Sequence, residues 1–166
     1  EKRPDLRWYT VRALHPEEAT VDVDVVTHGD SGPGSRWVCR AQAGDTAGFF
    51  TCNDLWRPTE AAQLLVADAS ALPALRNILA YQEDHNPSML RTTDVMAVVT
   101  SDDEVEPGLA ARWEASVHSL RIIHTQPHQE TDAIITALRA DYAGAPRPGY
   151  VWASGEGALA KNVRSL

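Results

Sequence analysis

Cysteine is scarce in this chain. Cys39 and Cys52 are the only two in 166 residues, and they form no C-x-x-C pair. That excludes a disulfide scaffold and suits a reducing cytoplasm. Long apolar runs are missing too: no stretch approaches the roughly 20 residues of a membrane-spanning helix, so no membrane insertion is expected. Basic charge is in the minority, with 15 Lys and Arg against 23 Asp and Glu, a net charge of −8 and a pI near 5.1. This balance argues against nucleic acid or an anionic membrane as partner. No Ser/His/Asp or paired-carboxylate constellation, internal repeat or low-complexity tract is present. What remains is 43% hydrophobic and 23% charged, an ordinary globular composition. The length is enough to bury a core as one domain or two small ones.

The first third reads as β-structure. Residues 6–14 and 20–27 form two strands joined by the turn-rich His15-Pro16-Glu17-Glu18. Strict alternation in Val21-Asp22-Val23-Asp24-Val25 predicts one buried and one solvated face. A short helix over 35–41 and a third strand over 47–51 follow. From Gln63 the pattern changes. Leu64-Leu65-Val66-Ala67 reads as a strand buried on both faces, and a helix follows over 71–81. Strands over 95–100, 120–124 and 150–153 alternate with helices over 131–142 and 157–165, which indicates a parallel sheet wrapped by helices. The boundary falls within 52–62, giving an α+β chain of two domains, 1–57 and 58–166.

Two early stretches carry the chemistry. Arg7-Trp8-Tyr9-Thr10 places an anion partner, a ring face and a small hydroxyl on one extended segment. Alternation puts Arg7 and Tyr9 on one side and Thr10 on the other, so Thr10 is expected to act through its backbone. His28-Gly29-Asp30-Ser31-Gly32-Pro33-Gly34-Ser35-Arg36-Trp37 is a Gly/Pro turn running into a helix start. Gly32 and Gly34 permit close approach of a pyrophosphate, Ser35 can cap the helix, and Trp37 is read as packing. Together these segments read as a flavin dinucleotide site. The run Gly29 to Pro33 also resembles the surroundings of a trypsin-like nucleophile, but Pro33 stands where that motif has its second glycine.

R-x-Y-T followed by H-G-x-x-G-P-G-S-x-W resembles the siderophore-interacting protein family, the flavin-dependent ferric-siderophore reductases of the ferredoxin–NADP reductase-like superfamily. Ala67-Asp68-Ala69-Ser70-Ala71-Leu72-Pro73-Ala74 resembles that family's G-D-E-T-A-L-P-A, with Ala67 replacing a glycine and Ala69 a glutamate. Val151-Trp152-Ala153-Ser154-Gly155-Glu156 resembles V-W-x-A-G-E, and Arg164 fits an arginine that follows on the last helix. The likeness covers nearly the whole chain, in order.

The resemblance implies a fold, an activity and a set of site residues. The fold is the C-terminal part of an antiparallel β-barrel flavin domain joined to an α/β nicotinamide domain, truncated at both ends. The activity passes hydride from NADH or NADPH to FAD, then single electrons to the iron of a ferric siderophore. Fe(II) binds hard oxygen donors more weakly than Fe(III), so reduction releases the metal. Arg7 is implied to meet the flavin phosphate, Tyr9 to stack on the ring, Thr10 to lie near its reactive edge, and His28, Gly32, Pro33, Gly34 and Ser35 to cradle the diphosphate. Asp68, Ser70 and Ala71 form the implied nicotinamide-nucleotide turn, with Ser70 as a helix cap, and Gly155 and Glu156 sit near the nicotinamide.

The acidic run Asp102-Asp103-Glu104 after the second parallel strand could accept from a ribose 2′-hydroxyl and would repel a 2′-phosphate, favouring NADH. No protein metal ligands are expected. His124 and His128 are four apart, but the intervening Pro127 argues against one helical face. Two other readings stand beside the reductase: a non-catalytic relic of the fold that binds no flavin, and a flavin reductase-like enzyme with another acceptor. The altered Ala67 and Ala69 and the few barrel strands favour the relic.

Overall fold

The computed structural model describes residues 6–27, 32–50 and 56–166, and the chain divides into two compact units, Glu1–Leu55 and Trp56–Leu166.

In the first unit, strands β1 (Val11–His15) and β2 (Thr20–Val23) pair antiparallel. The connection is a 3-10 turn over Pro16–Glu18, closed by Ala19 in left-handed backbone. Proline pre-sets the first turn position, and the Ala19 N–H returns to the Pro16 carbonyl at 3.2 Å. Arg12 reaches from β1 to Asp22 at 3.2 Å and to Asp24 at 3.0 Å, and His15 Nε2 meets Asp22 at 3.2 Å. The alternation expected of β2 works differently here. Val21 and Val23 are exposed, whereas Asp22 is half-covered by its cationic partners. Among the described residues this sheet has only two strands, and its valine face is left exposed. Helix α1 (Pro33–Val38) follows, beginning two residues earlier than expected because Pro33 fits the first helical turn and Gly32 takes φ +91° at the cap. The strand expected over 47–51 is not seen: residues 47–50 carry no regular structure, and Thr51 lies outside the described residues.

The second unit is a four-stranded sheet in the order β5-β4-β3-β6, parallel throughout, built from β3 (Gln63–Asp68), β4 (Thr93–Val99), β5 (Ser119–His124) and β6 (Tyr150–Ser154). The helices are α2 (Leu72–His85), α3 (Pro87–Leu90), α4 (Leu109–Ser116), α5 (Glu130–Asp141) and α6 (Gly157–Arg164). Every residue of β3 is buried. Leu65 and Ala67 point into a cluster with Leu72, Leu75, Leu79, Trp113 and Trp152. Leu64 and Val66 point the other way, among Ile134, Leu138, Leu159 and Val163. Helices on both faces therefore explain the uninterrupted apolar run, since each side chain has a layer to enter. Each fully buried leucine or valine contributes about 1.5–3 kcal/mol.

Helix α4, unforeseen in the sequence, supplies Trp113 to the first cluster. At the amino end of the sheet, Asp94 accepts from Ser119 Oγ, from His118 Nδ1 at 2.8 Å and from Tyr142 Oη at 2.8 Å. This ties β4 to β5 and to the end of α5. Burial raises the Asp94 carboxyl, but these hydrogen bonds and the nearby His118 outweigh it, leaving the group below its ordinary range. Tyr142 is pushed up, by burial first and then by its bond to Asp94.

Candidate functional site

In the first unit the expected flavin residues are partly gathered. Tyr9 lies against the start of α1: a Cβ at Gly34 would run into the Tyr9 hydroxyl and come within 3.6 Å of Arg7 Cγ. Residues 6–10, expected as the first part of a strand, carry no regular structure, and it is the Tyr9 hydroxyl that the absent side chain at Gly34 lets approach α1 so closely. The Tyr9 side of the segment remains half-open at 49% exposure, which leaves ring surface available for stacking. The Arg7 guanidinium donates to the Leu6 carbonyl at 2.7 Å and is otherwise exposed. Thr10 is partly buried next to Tyr9. His28 lies outside the described residues.

Two expectations about the turn need correction. Ser35 does not cap α1. It is the third residue of the helix and is buried, because Pro33 draws the helix start forward and leaves Gly32 as the cap. Trp37 is not packing: it is 49% exposed and lines a cavity of about 400 Å³ with Pro33, Arg36, Arg40, Ala41 and Asp45. The two arginines of this lining suit an anionic ligand and Trp37 adds an aromatic surface, with the Asp45 carboxylate as the opposing charge.

In the second unit the two expected turns meet at the carboxyl edge of adjacent strands, where Ala67 of β3 pairs with Ser154 of β6. Open α/β sheets take their ligands at this edge. Asp68 holds the meeting point. Its Oδ1 accepts from Ser70 N at 2.9 Å and from Ser70 Oγ at 2.6 Å, and its Oδ2 accepts from Glu156 N at 2.6 Å. Ser70 is thus not the helix cap. Asp68 caps the 3-10 turn Ala69–Ala71, and the Ser70 hydroxyl is spent on that carboxylate. The Ala71 methyl is buried in the core, so only its backbone faces the edge. Gly155 adopts φ +133°, and its missing side chain makes room for the Asp68 carboxylate. Pro73 lies in the first turn of α2, as expected.

The acidic run after β4 separates into two roles. Glu104 folds back, accepting from Thr100 N at 2.7 Å and from Thr100 Oγ1 at 2.9 Å. Asp102 is 94% exposed and pairs with His124 Nδ1 at 3.4 Å. Among the described residues no group of three His, Cys, Asp or Glu could hold a metal ion, and His128 stands in left-handed backbone. Arg164 lies at a cavity of about 800 Å³ beside β6, with Arg139, Arg147, Leu64, Val151 and Val163. No helix of the described residues is long and apolar enough to cross a membrane.

Residues 1–53 match the siderophore-interacting FAD-binding domain, and residues 60–166 match the siderophore-interacting protein family. The chain belongs to the siderophore-interacting protein family. It is 35% identical over 86 residues to the ferric acinetobactin reductase of Acinetobacter baumannii, covering 50% of this chain and 30% of that protein. It is likewise 35% identical over 82 residues to the ferric vibriobactin reductase ViuB of Vibrio cholerae, covering 48% of this chain and 30% of that protein. Each alignment thus takes in under a third of the curated relative. Among solved structures, the siderophore-interacting protein SipS from Aeromonas hydrophila superposes with a TM-score of 0.69 at 26% identity, covering 98% of this chain and 61% of that one. The siderophore-interacting protein from Acinetobacter baumannii gives 0.68 at 25% identity, covering 99% and 63%. These neighbours share an α+β architecture with this chain.

The sequence reading missed two features of the site. The D-x-S at 68–70 is an Asx-turn signal at a strand end, and it could have been found. The bond from Asp68 to Glu156 spans 88 residues and has no local signature.

Proposed function

We propose that the chain takes part in an FAD-dependent NAD(P)H:ferric-siderophore oxidoreductase reaction that releases iron by reducing Fe(III) to Fe(II). The observation that carries this reading is the meeting of Arg7 and Tyr9 with Gly34, inside the stretch that matches the FAD-binding domain. In it, Arg7 binds a flavin phosphate, the Tyr9 ring packs on the isoalloxazine, and Thr10 contributes backbone groups beside it. Gly32 and Gly34 keep side chains out of the diphosphate's way and Pro33 sets the helix start, while Arg36 and Trp37 are the residues this reading gives to the remoter half of the dinucleotide. FAD, when bound, supplies the chemistry of accepting two electrons from a nicotinamide and releasing them singly to ferric iron.

In the second unit, this reading gives NADH or NADPH the backbone N–H groups at the Ala69–Ala71 turn and the start of α6 other than those of Ser70 and Glu156, which Asp68 takes. Glu104 is occupied by Thr100 and Asp102 is paired with His124 on an open surface, so in this reading the exposed Asp102 and Asp103 favour a ribose hydroxyl over a 2′-phosphate. The domains assigned to these roles are 1–57 and 58–166. The ferric siderophore is the substrate, and the cytoplasm, with its nicotinamide pool and free thiols, is the compartment. The second reading, a relic that binds no flavin, draws on the exposed Leu14, Val21 and Val23 of a sheet with only two described strands.

Titration of the purified chain with FAD, followed by anaerobic NADH and then ferric chelates, separates the readings. A yellow protein that bleaches with NADH and recovers colour with a ferric siderophore supports the reductase. A protein that ignores FAD supports the relic, and recovery only with other acceptors supports a different oxidoreductase.

A further inference from the structure

Asp68 is a buried carboxylate that accepts three hydrogen bonds from backbone and side-chain groups of the protein. One oxygen is committed to the turn that follows β3. The other crosses to the N–H of Glu156, at the turn that follows β6. The carboxylate also fills the place of a Gly155 side chain, so it is held sterically as well as by three donors. Both oxygens are thus engaged, Oδ1 twice and Oδ2 once, and turning either fully towards a ligand would break a charge-assisted bond in a buried setting.

We infer that Asp68 is a positioning residue rather than a ligand contact, tying the two carboxyl-edge turns into one pre-assembled dinucleotide seat. The inference rests on the nicotinamide reading of this edge. It explains three residues together. Asp68 is needed as the double acceptor, Ser70 as the donor that orients it, and Gly155 as the position that yields space at φ +133°. The two turns come from parallel neighbours, β3 and β6, whose pairing runs to Ala67 and Ser154. Beyond that last ladder position β3 and β6 have no pairing to hold the turns in register, and the Asp68–Glu156 contact takes over, one residue past Ala67 and two past Ser154. An unlinked pair of turns would have to be ordered by the dinucleotide itself, at the expense of affinity.

The test uses backbone amide spectra of the whole chain, with NADH as the probe. The variants are Asp68→Asn, which keeps the shape but replaces one accepting oxygen by an NH2 that cannot accept, and Ser70→Ala, which removes one donor and leaves the Glu156 bond. In Asp68→Asn the Glu156 amide is expected to exchange about tenfold faster, and the NADH dissociation constant to rise about tenfold, the equivalent of one charge-assisted bond. Ser70→Ala should move both in the same direction by about two- to threefold. Unchanged Glu156 exchange in Asp68→Asn would overturn the tie. A lower urea midpoint with an unaltered NADH dissociation constant would overturn the positioning role, because a purely structural bond moves only the former. If NADH shifts neither turn in the parent protein, the nicotinamide reading fails and the seat with it. Glu156 exchange still decides separately whether Asp68 joins the two turns.

Discussion

Gly34→Ala is the perturbation that most directly probes the flavin reading, because it separates stability from binding. Gly34 lies within α1 in helical backbone, where alanine is favoured over glycine by about 0.5–1 kcal/mol. The added methyl would collide with the Tyr9 hydroxyl, the far end of a half-exposed side chain that can swing away. The helix gain and the displaced tyrosine therefore offset, and unfolding free energy should change by less than about 1 kcal/mol. Binding should not be spared. If the Tyr9 ring stacks on the flavin, its displacement forfeits about 0.5–1.5 kcal/mol, or about two- to tenfold in FAD affinity.

The second half of the experiment is a rescue. Tyr9→Phe removes the hydroxyl but keeps the ring, and the nearest ring carbon would then stand 3.5 Å from the new methyl, an ordinary contact. The double variant should recover most of the lost affinity, a coupling that a thermodynamic cycle reads directly. Urea denaturation and FAD fluorescence quenching on the four proteins complete the measurement. Unchanged FAD affinity in Gly34→Ala, or no recovery in the double variant, would refute the placement of Tyr9 on the flavin.

Arg7→Ala should weaken FAD about tenfold to a hundredfold through loss of a charge-assisted phosphate contact, read by the same quenching assay. NADH should perturb the carboxyl-edge amides at lower concentration than NADPH, and Asp102→Asn should narrow that preference; a tighter NADPH would mean that the exposed acidic side chains face solvent only. Asp94 predicts a pH dependence: its folded carboxyl lies below the ordinary value, so its contribution is present above about pH 4 and is lost as pH falls through the folded titration. Urea midpoints from pH 7 down to pH 2 should therefore fall less steeply for Asp94→Asn, which has no carboxylate to protonate, than for the parent.

The parallel sheet was legible because its strands are short apolar runs bounded by turn residues, and β3 has no polar position at all between Leu64 and Ala67. The motif residues were legible for a different reason: Arg7, Tyr9 and Gly34 are residue types that a phosphate, a ring and a close approach require, whatever their surroundings. Helix α4 escaped notice because only Trp113 of its eight residues is buried, too little for a helical apolar stripe to show. The amphipathic pattern of β2 pointed to a covered valine face, but alternation reports which side chains are alike, not whether a second layer meets them.

What the amino-acid sequence determined by itself was local: strand and helix periodicity, turn chemistry, charge, and the family carried by its motifs. The tertiary structure decided which polar groups are consumed. Ser70 looked like a cap; instead the serine serves Asp68, and that aspartate reaches a backbone N–H 88 residues away. Ser35 looked like a cap and became a buried helical residue, while Trp37 looked like packing and became an exposed cavity wall. A hydrogen-bonding side chain has several possible partners within its own turn and many more across the fold. Which one it takes depends on what the packing of distant strands brings within about 3 Å, and that distance is not encoded in any neighbouring residue.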